Sequence, residues 1–417
     1  MMNKITYKLL IIFWLTFLPN IYASGGSIYT RYGVGNIFYS YSARRMGLGS
    51  IGTSLLGTGD LSPVNPASWS NLKVTRLSIG VGYNGINLND GKTSAFYSTT
   101  DFSGFSIGFP VDKDLGISFV MGLLPFSTVE YEVDVNSTDN NLPAGKYTYN
   151  GNGSINKVYL GASYKLPLNF QFGATFEYYT GDIKYSSTAS FKEFSPFANA
   201  KYIENLQYRG FGTTLGLISG NISKGLSIKK ITNLRLGISL NLISSLRTDS
   251  SLITINKLGQ LNSLSTLLNT NIPYKLSFGA SFNWDTDYLF LMDYIYQPWS
   301  KYDFNGISSN NLRNLSVVSF GFEYKNSEAR YTNFWEQIKY RGGLSFKQTQ
   351  YYINGKGIDE YSVHAGITAP LGPRSNIDVG LAYGIKGTND LNLIKENFVK
   401  ANISLNFGEL WFIRQER

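Results

Sequence analysis

The sequence predicts an all-β protein: a 14-stranded antiparallel transmembrane β-barrel with an N-terminal plug, or hatch, in its lumen. Three observations predict it. From Val74 onward apolar and polar residues alternate with period two. After the first two dozen residues, no stretch reaches the ~20 apolar residues that a membrane helix needs. The third observation is composition: 30 Tyr, 27 Phe and 43 Gly among 417 residues, with charged residues at only 16%, against roughly 25% in an average soluble protein. Few charges with many aromatics suit a sheet that faces lipid on one side and packed interior on the other. A mean hydropathy of -0.12 excludes a bundle of membrane helices, which would be far more apolar.

Met1 to Ala23 reads as a signal peptide. Lys4 and Lys8 supply the positive end, Leu9 to Leu18 the apolar run, and Pro19 breaks it before Ala23. An exported chain that enters a membrane without helices must do so as a closed barrel. Residues 24–41 show no sustained period and read as an extended arm. Residues 44–72 are glycine-rich, too broken for a long helix and too polar to span; this stretch ends near Asn65-Pro66-Ala67. The domains expected are a signal peptide at 1–23, an arm and plug at 24–72, and a barrel at 73–417.

Fourteen strands follow, near 74–84, 93–110, 115–131, 155–166, 169–185, 203–221, 232–247, 274–285, 288–298, 313–325, 336–350, 358–370, 375–387 and 396–407. In the first, Leu77, Ile79, Val81 and Tyr83 oppose Ser78, Gly80, Gly82 and Asn84; in the last, Val399, Ala401, Ile403 and Leu405 oppose Lys400, Asn402, Ser404 and Asn406. A soluble sandwich would show a second apolar core instead of Gly, Ser, Asn and Lys. Tight connections at 110–114, 166–168, 285–287 and 371–374 follow even-numbered strands. Long ones at 134–154, 185–202, 247–273 and 300–312 follow odd-numbered strands. Barrels have short periplasmic turns and long outer loops, so this parity places both termini in the periplasm. The connections at 222–231 and 326–335 do not fit, being long on the short side. Glycine weakens a strand unless another backbone comes close; a plug would supply that backbone.

The formal charge of +9 is scattered singly, which argues for solvated rims and lumen facing anionic lipid headgroups and against a nucleic-acid site. With no cysteine and one histidine, thiol chemistry, disulfides and a His- or Cys-based metal centre have no residues to use. Gly47-Leu48-Gly49-Ser50-Ile51-Gly52 matches G-x-G-x-x-G but lacks the strand, helix and acid of a dinucleotide site. His364 shares the non-lipid face with Ser362, and no acid is specified to orient it, so no enzyme is expected. Pro125 interrupts the third strand and marks either its exit from the membrane or an inward kink that leaves a lateral gap. On the ninth strand Leu289, Leu291 and Ile295 flank Asp293 on the lumen side, apolar enough to pack on a plug or line a greasy path.

Taken together, the segment ending in Asn65-Pro66-Ala67, Pro125-Phe126 in the third strand and the fourteen strands resemble the outer-membrane long-chain fatty acid transporters of the FadL/TodX type. The stretch from Leu393 to Asn397 through Leu410-Trp411-Phe412 is similar to uncharacterised members of that superfamily. The resemblance implies a hatch carrying Asn65, Pro66 and Ala67. It also implies a lateral opening near Gly122, Pro125 and Phe126, with passive uptake of a hydrophobic ligand. No ligand-pocket residue and no cofactor carries over. Expected partners are the bilayer, lipopolysaccharide, a hydrophobic small molecule and other outer-membrane proteins. The alternative is a non-conducting accessory subunit of an outer-membrane secretion or assembly complex, as some distant relatives of such barrels are.

Overall fold

The computed structural model describes residues 26–409 except 40, 57–58, 138–142, 193–194, 224–229 and 327–332. The expected signal peptide at 1–23 and Leu410-Trp411-Phe412 lie outside the described residues. Fourteen staves form the wall. They are β1 (Thr75–Asn89), β2 (Ser94–Asp112), β3 (Ile117–Ser137), β4 (Gly145–Lys165), β5 (Gln171–Ser190), β6 (Ala200–Ile218), β7 (Ile231–Ile243), β8 (Lys275–Trp284), β9 (Tyr288–Gln297), β10 (Leu315–Tyr324), β11 (Lys339–Ile353), β12 (Lys356–Pro370), β13 (Asn376–Lys386) and β14 (Lys395–Glu409). Each pairs antiparallel with its chain neighbours, and β14 closes on β1 from Thr75/Glu409 to Asn89/Lys395. Closure leaves no free edge at that seam, which is what a membrane wall requires.

The two faces separate as the alternation predicts. Val81 (51% exposed), Leu160 (52%) and Phe176 (61%) stand in an outward apolar band of the kind that meets lipid. Asp293, Leu291 and Ile295 point inward and are buried. Leu291 packs with Leu48 and Leu55 of the N-terminal segment, so the apolar lumen face of the ninth strand is packing surface.

The long connections differ from expectation. Much of 134–154 is ladder, because β3 and β4 pair as far as Ser137/Gly145. The 247–273 stretch holds strands Leu246–Asn256, Gly259–Asn262 and Thr266–Asn271. The β11–β12 connection is a two-residue turn, with Asn354 at φ 51 and Gly355 at φ 76, the Asn-Gly signature of a tight hairpin. Loop length therefore alternates less cleanly than the sequence suggests.

Residues 26–72 contact the inward faces of staves around the ring. The arm is turned, with a short 3-10 turn at Ile28–Arg31 and a two-residue strand at Asn36–Ile37, and is not extended throughout. Arg45, fully buried, donates from Nε to Asp60 (2.7 Å) and from Nη1 to the carbonyls of Ile51 and Gly52, folding the segment on itself. Burial pushes the Asp60 carboxyl up, but the Arg45 and Arg44 guanidiniums outweigh it and hold it below its usual range. Asp293 accepts the backbone N–H groups of Gly52 (2.9 Å) and Thr53 (2.7 Å).

The interior glycines lie where that backbone comes close. A Cβ on Gly216 would sit 2.0 Å from Asn65 Oδ1, and one on Gly173 would sit 2.3 Å from the Pro66 carbonyl carbon. Gly343 and Gly380 face the backbones of Gly49 and Ala43 in the same way. No side chain fits in such gaps.

A buried ionic network joins segment to wall. Arg44 and Arg341 both reach Glu323, at 3.1 and 2.6 Å, and Arg341 also meets Asp378 at 3.3 Å and donates to Thr368. Asn406 donates to the other Asp378 oxygen at 2.7 Å. Replacing Arg341 with Gln leaves Asp378 without its cation, and breaking a buried pair from one side costs about 3–5 kcal/mol. Urea unfolding from lipid vesicles should show a loss of about that size; an unchanged midpoint would mean the network carries no stability.

Candidate functional site

The wall is interrupted between β2 and β3. Their ladder runs from Asp112/Ile117 to Phe105/Leu123 and stops there. From there upward β2 pairs only with β1, and β3 pairs on with β4 to its tip. Local sequence explains the parting. Gly104 takes φ +137, where a Cβ would strike Leu124 at 2.3 Å, and β2 bulges at the neighbouring Ser103. Pro125, which has no N–H to donate, comes two residues after the last pair, and β3 bulges at Phe126. Of the three residues expected at a lateral opening, Pro125 and Phe126 stand at the break. Gly122 is still in the ladder, opposite Ser106. Phe126 is buried, edge-on to Tyr179 with ring centroids 4.9 Å apart.

The N-terminal segment fills the edge that β3 presents. Asn36 and Ile37 pair with Thr128 and Ser127, and the Phe38 N–H donates to the Phe126 carbonyl at 3.0 Å. Thr30 Oγ1 donates to the Glu130 carbonyl and accepts from its N–H, both at 3.2 Å. Gly35, at φ +88, lets the chain come within 2.2 Å (from a would-be Cβ) of the Thr128 carbonyl.

Asn65, Pro66 and Ala67 come together against staves β5 to β7. Asn65 caps the 3-10 helix Pro66–Asn71, its Oδ1 accepting from Ala67 N–H at 3.1 Å, with Pro66 at the first helical position. Its Nδ2 donates to the Thr53 carbonyl (2.8 Å) and to the wall carbonyls of Ile238 (3.1 Å) and Leu217 (3.3 Å). Trp69 follows, fully buried and stacked on Tyr159 at 6.0 Å.

Behind the break lies a cavity of about 180 Å³, bounded by the β2 and β3 edges, the 36–39 stretch and staves β11 to β14. Its wall includes charged side chains. Lys347, Glu360, Lys386 and Glu396 occupy facing positions on four successive staves. Lys386 lies 3.3 Å from Glu396, and Lys347 lies 3.9 Å from Glu360. Alternating opposite charges across strands are mutually stabilising. Ser27 ties the segment to this rung, donating to Glu396 at 2.7 Å and accepting from Lys386 at 2.9 Å. This rung went unread in the sequence because its members are far apart in the chain and only the register joins them.

His364 also lines the cavity. Its Nε2 is 3.0 Å from Ser362 Oγ and 3.1 Å from Ser345 Oγ. Among the described residues no carboxylate hydrogen-bonds its Nδ1, so the arrangement lacks the orienting acid of a hydrolase triad.

A family model described as BamG matches residues 1–416. No curated protein matches the chain. Among solved structures, the toluene transporter TodX of P. putida is similar at 14% identity. It covers 90% of this chain and 100% of its own, with a TM-score of 0.60. A Pseudomonas aeruginosa FadL homologue gives 13% identity, 89% and 98% coverage and a TM-score of 0.62. The Ralstonia pickettii toluene transporter TbuX gives 14%, 89% and 99%, and 0.60. At these identities the likeness concerns the fold, which is that of the FadL-type barrels.

Replacing Asn65 with Asp removes two donors and sets a carboxylate against three carbonyls. An unsatisfied buried group costs about 1–3 kcal/mol, more when charged. Limited proteolysis of the folded barrel should then cut within 44–72 at least several-fold faster than in the native protein. Equal cutting rates would show that Asn65 does not hold this stretch in place.

Proposed function

The chain belongs to the BamG family, and from that premise we propose that it is an outer-membrane barrel for passive uptake of a small hydrophobic or amphipathic molecule. Residues 26–72 act as the hatch that closes the barrel along its axis. The molecule leaves, or enters, sideways through the wall between β2 and β3, and both termini face the periplasm. The observation that carries this reading is the ladder break with a cavity directly behind it. A membrane wall gives up backbone hydrogen bonds only where protein or a cavity takes them over. A cavity of about 150 Å³ can hold benzene, so this one is large enough for a single ring or a short chain. The FadL-type neighbours, among them toluene transporters, support the same reading.

A second reading is favoured by the Arg44–Glu323–Arg341–Asp378 network, which ties the segment to the wall through buried charges. A barrel closed this firmly also suits a non-conducting accessory subunit of an outer-membrane complex, held there by protein partners.

The chain has no cysteine, so one engineered bridge is unambiguous. Asn36→Cys with Thr128→Cys joins the segment to the β3 edge where they pair. Uptake of radiolabelled toluene or decanoate into vesicles should fall to the protein-free rate on oxidation and recover on reduction. Uptake that ignores the bridge would overturn the lateral route. A native barrel that takes up neither probe would support the accessory reading.

A further inference from the structure

The charges in the cavity are not all paired with one another. Lys400 stands outside the Lys347–Glu360–Lys386–Glu396 rung: it feels the Glu360 carboxylate but makes no salt bridge within 4 Å among the described residues, and its Nζ lies 4.5 Å over the Phe398 ring. Asp101 and Glu130 have no cationic partner among the described residues either. Asp101 has a weak contact from Thr99 Oγ1 at 3.4 Å. They lie on the two lips of the break, Asp101 on the β2 edge and Glu130 on the β3 edge, and both line the cavity. Asn84 Oδ1 is buried at the same cavity without a hydrogen-bond partner.

This arrangement discriminates among ligands. A hydrocarbon would leave all of these groups unpaired while excluding the water that solvates them, which is costly. A simple carboxylate would satisfy Lys400 but meet two like charges at the wall. A cation would do the reverse.

We propose that the cavity receives a zwitterionic head group of the phosphoethanolamine type. Its anionic end sits on Lys400 and its ammonium lies between Asp101 and Glu130, with the Asn84 carbonyl as a further acceptor. A short apolar body then lies along Phe102 and the break. This rests on the ligand reading of the cavity given above and narrows it. The same head-group chemistry occurs on a lipid and on a chainless, water-soluble ester.

Calorimetric titration of the purified native protein in a neutral maltoside detergent tests it with four probes: dodecanoyl lysophosphatidylethanolamine, dodecanoate, dodecanol and glycerophosphoethanolamine. The lysolipid should bind about tenfold or more tighter than dodecanoate and dodecanol, a gap of ~1.4 kcal/mol or more. Lys400→Gln and the pair Asp101→Asn with Glu130→Gln should each erase that gap. The four-probe comparison on the native chain needs no variant to fold. Dodecanol or dodecanoate binding as tightly as the lysolipid overturns the head-group assignment and leaves the uptake reading standing, and a preference that survives in the variants overturns it too. Binding of none of the four removes both. Glycerophosphoethanolamine binding as tightly as the lysolipid supports the head-group assignment and makes the ligand a free solute; weaker binding supports it and makes the ligand a lipid.

Discussion

A backbone crossing a bilayer has to find partners for its N–H and C=O groups within the protein, since hydrocarbon offers none. This chain meets the demand by closing fourteen staves on themselves, except along the upper part of one seam. There β2 and β3 part after Phe105/Leu123, and the exposed edge of β3 is taken up by the chain's own N-terminal residues, Asn36 to Phe38 and Thr30. The wall is thus completed from inside. Everything distinctive about the lumen follows from that substitution: the segment must be held at one height and one angle.

The holding is done by polar contacts more than by burial alone. Hydrophobic packing is non-directional, so Tyr29, Val34 and Ile37 in the lumen core would tolerate many poses. Asp293 on two backbone N–H groups, Asn65 on three carbonyls and Arg44 on Glu323 each allow essentially one. Wall glycines such as Gly173 and Gly216 then set how close the segment can come. Charged and hydroxyl side chains also stand in the cavity lining, among a larger apolar share.

Much of this was legible in the sequence. Period-two alternation marked all fourteen staves and assigned Asp293, Ser362 and His364 to the inner face. The glycine count called for a close backbone, and Pro125, read as either the strand's exit or an inward kink, stands two residues past the last β2–β3 pair. What stayed hidden has a common cause. At the tips of β3 and β4, Asp134, Asn136, Thr148 and Asn150 share one face and Val133, Val135, Tyr147 and Tyr149 the other, an alternation too short to stand out from the Asn, Asp, Gly and Pro beside it in sequence. Gly104, the other half of the break, is one glycine among 43 until its φ is known. The charged rung across β11 to β14 depends on register, which a single sequence does not reveal.

The claim that one segment both fills the lumen and completes the wall is tested most directly by ion conductance in planar bilayers. Intact barrels should be electrically silent, and barrels lacking residues 26–72 should insert and carry a steady current. Intact barrels that conduct as freely as the shortened ones, or shortened barrels that insert and stay silent, would contradict it.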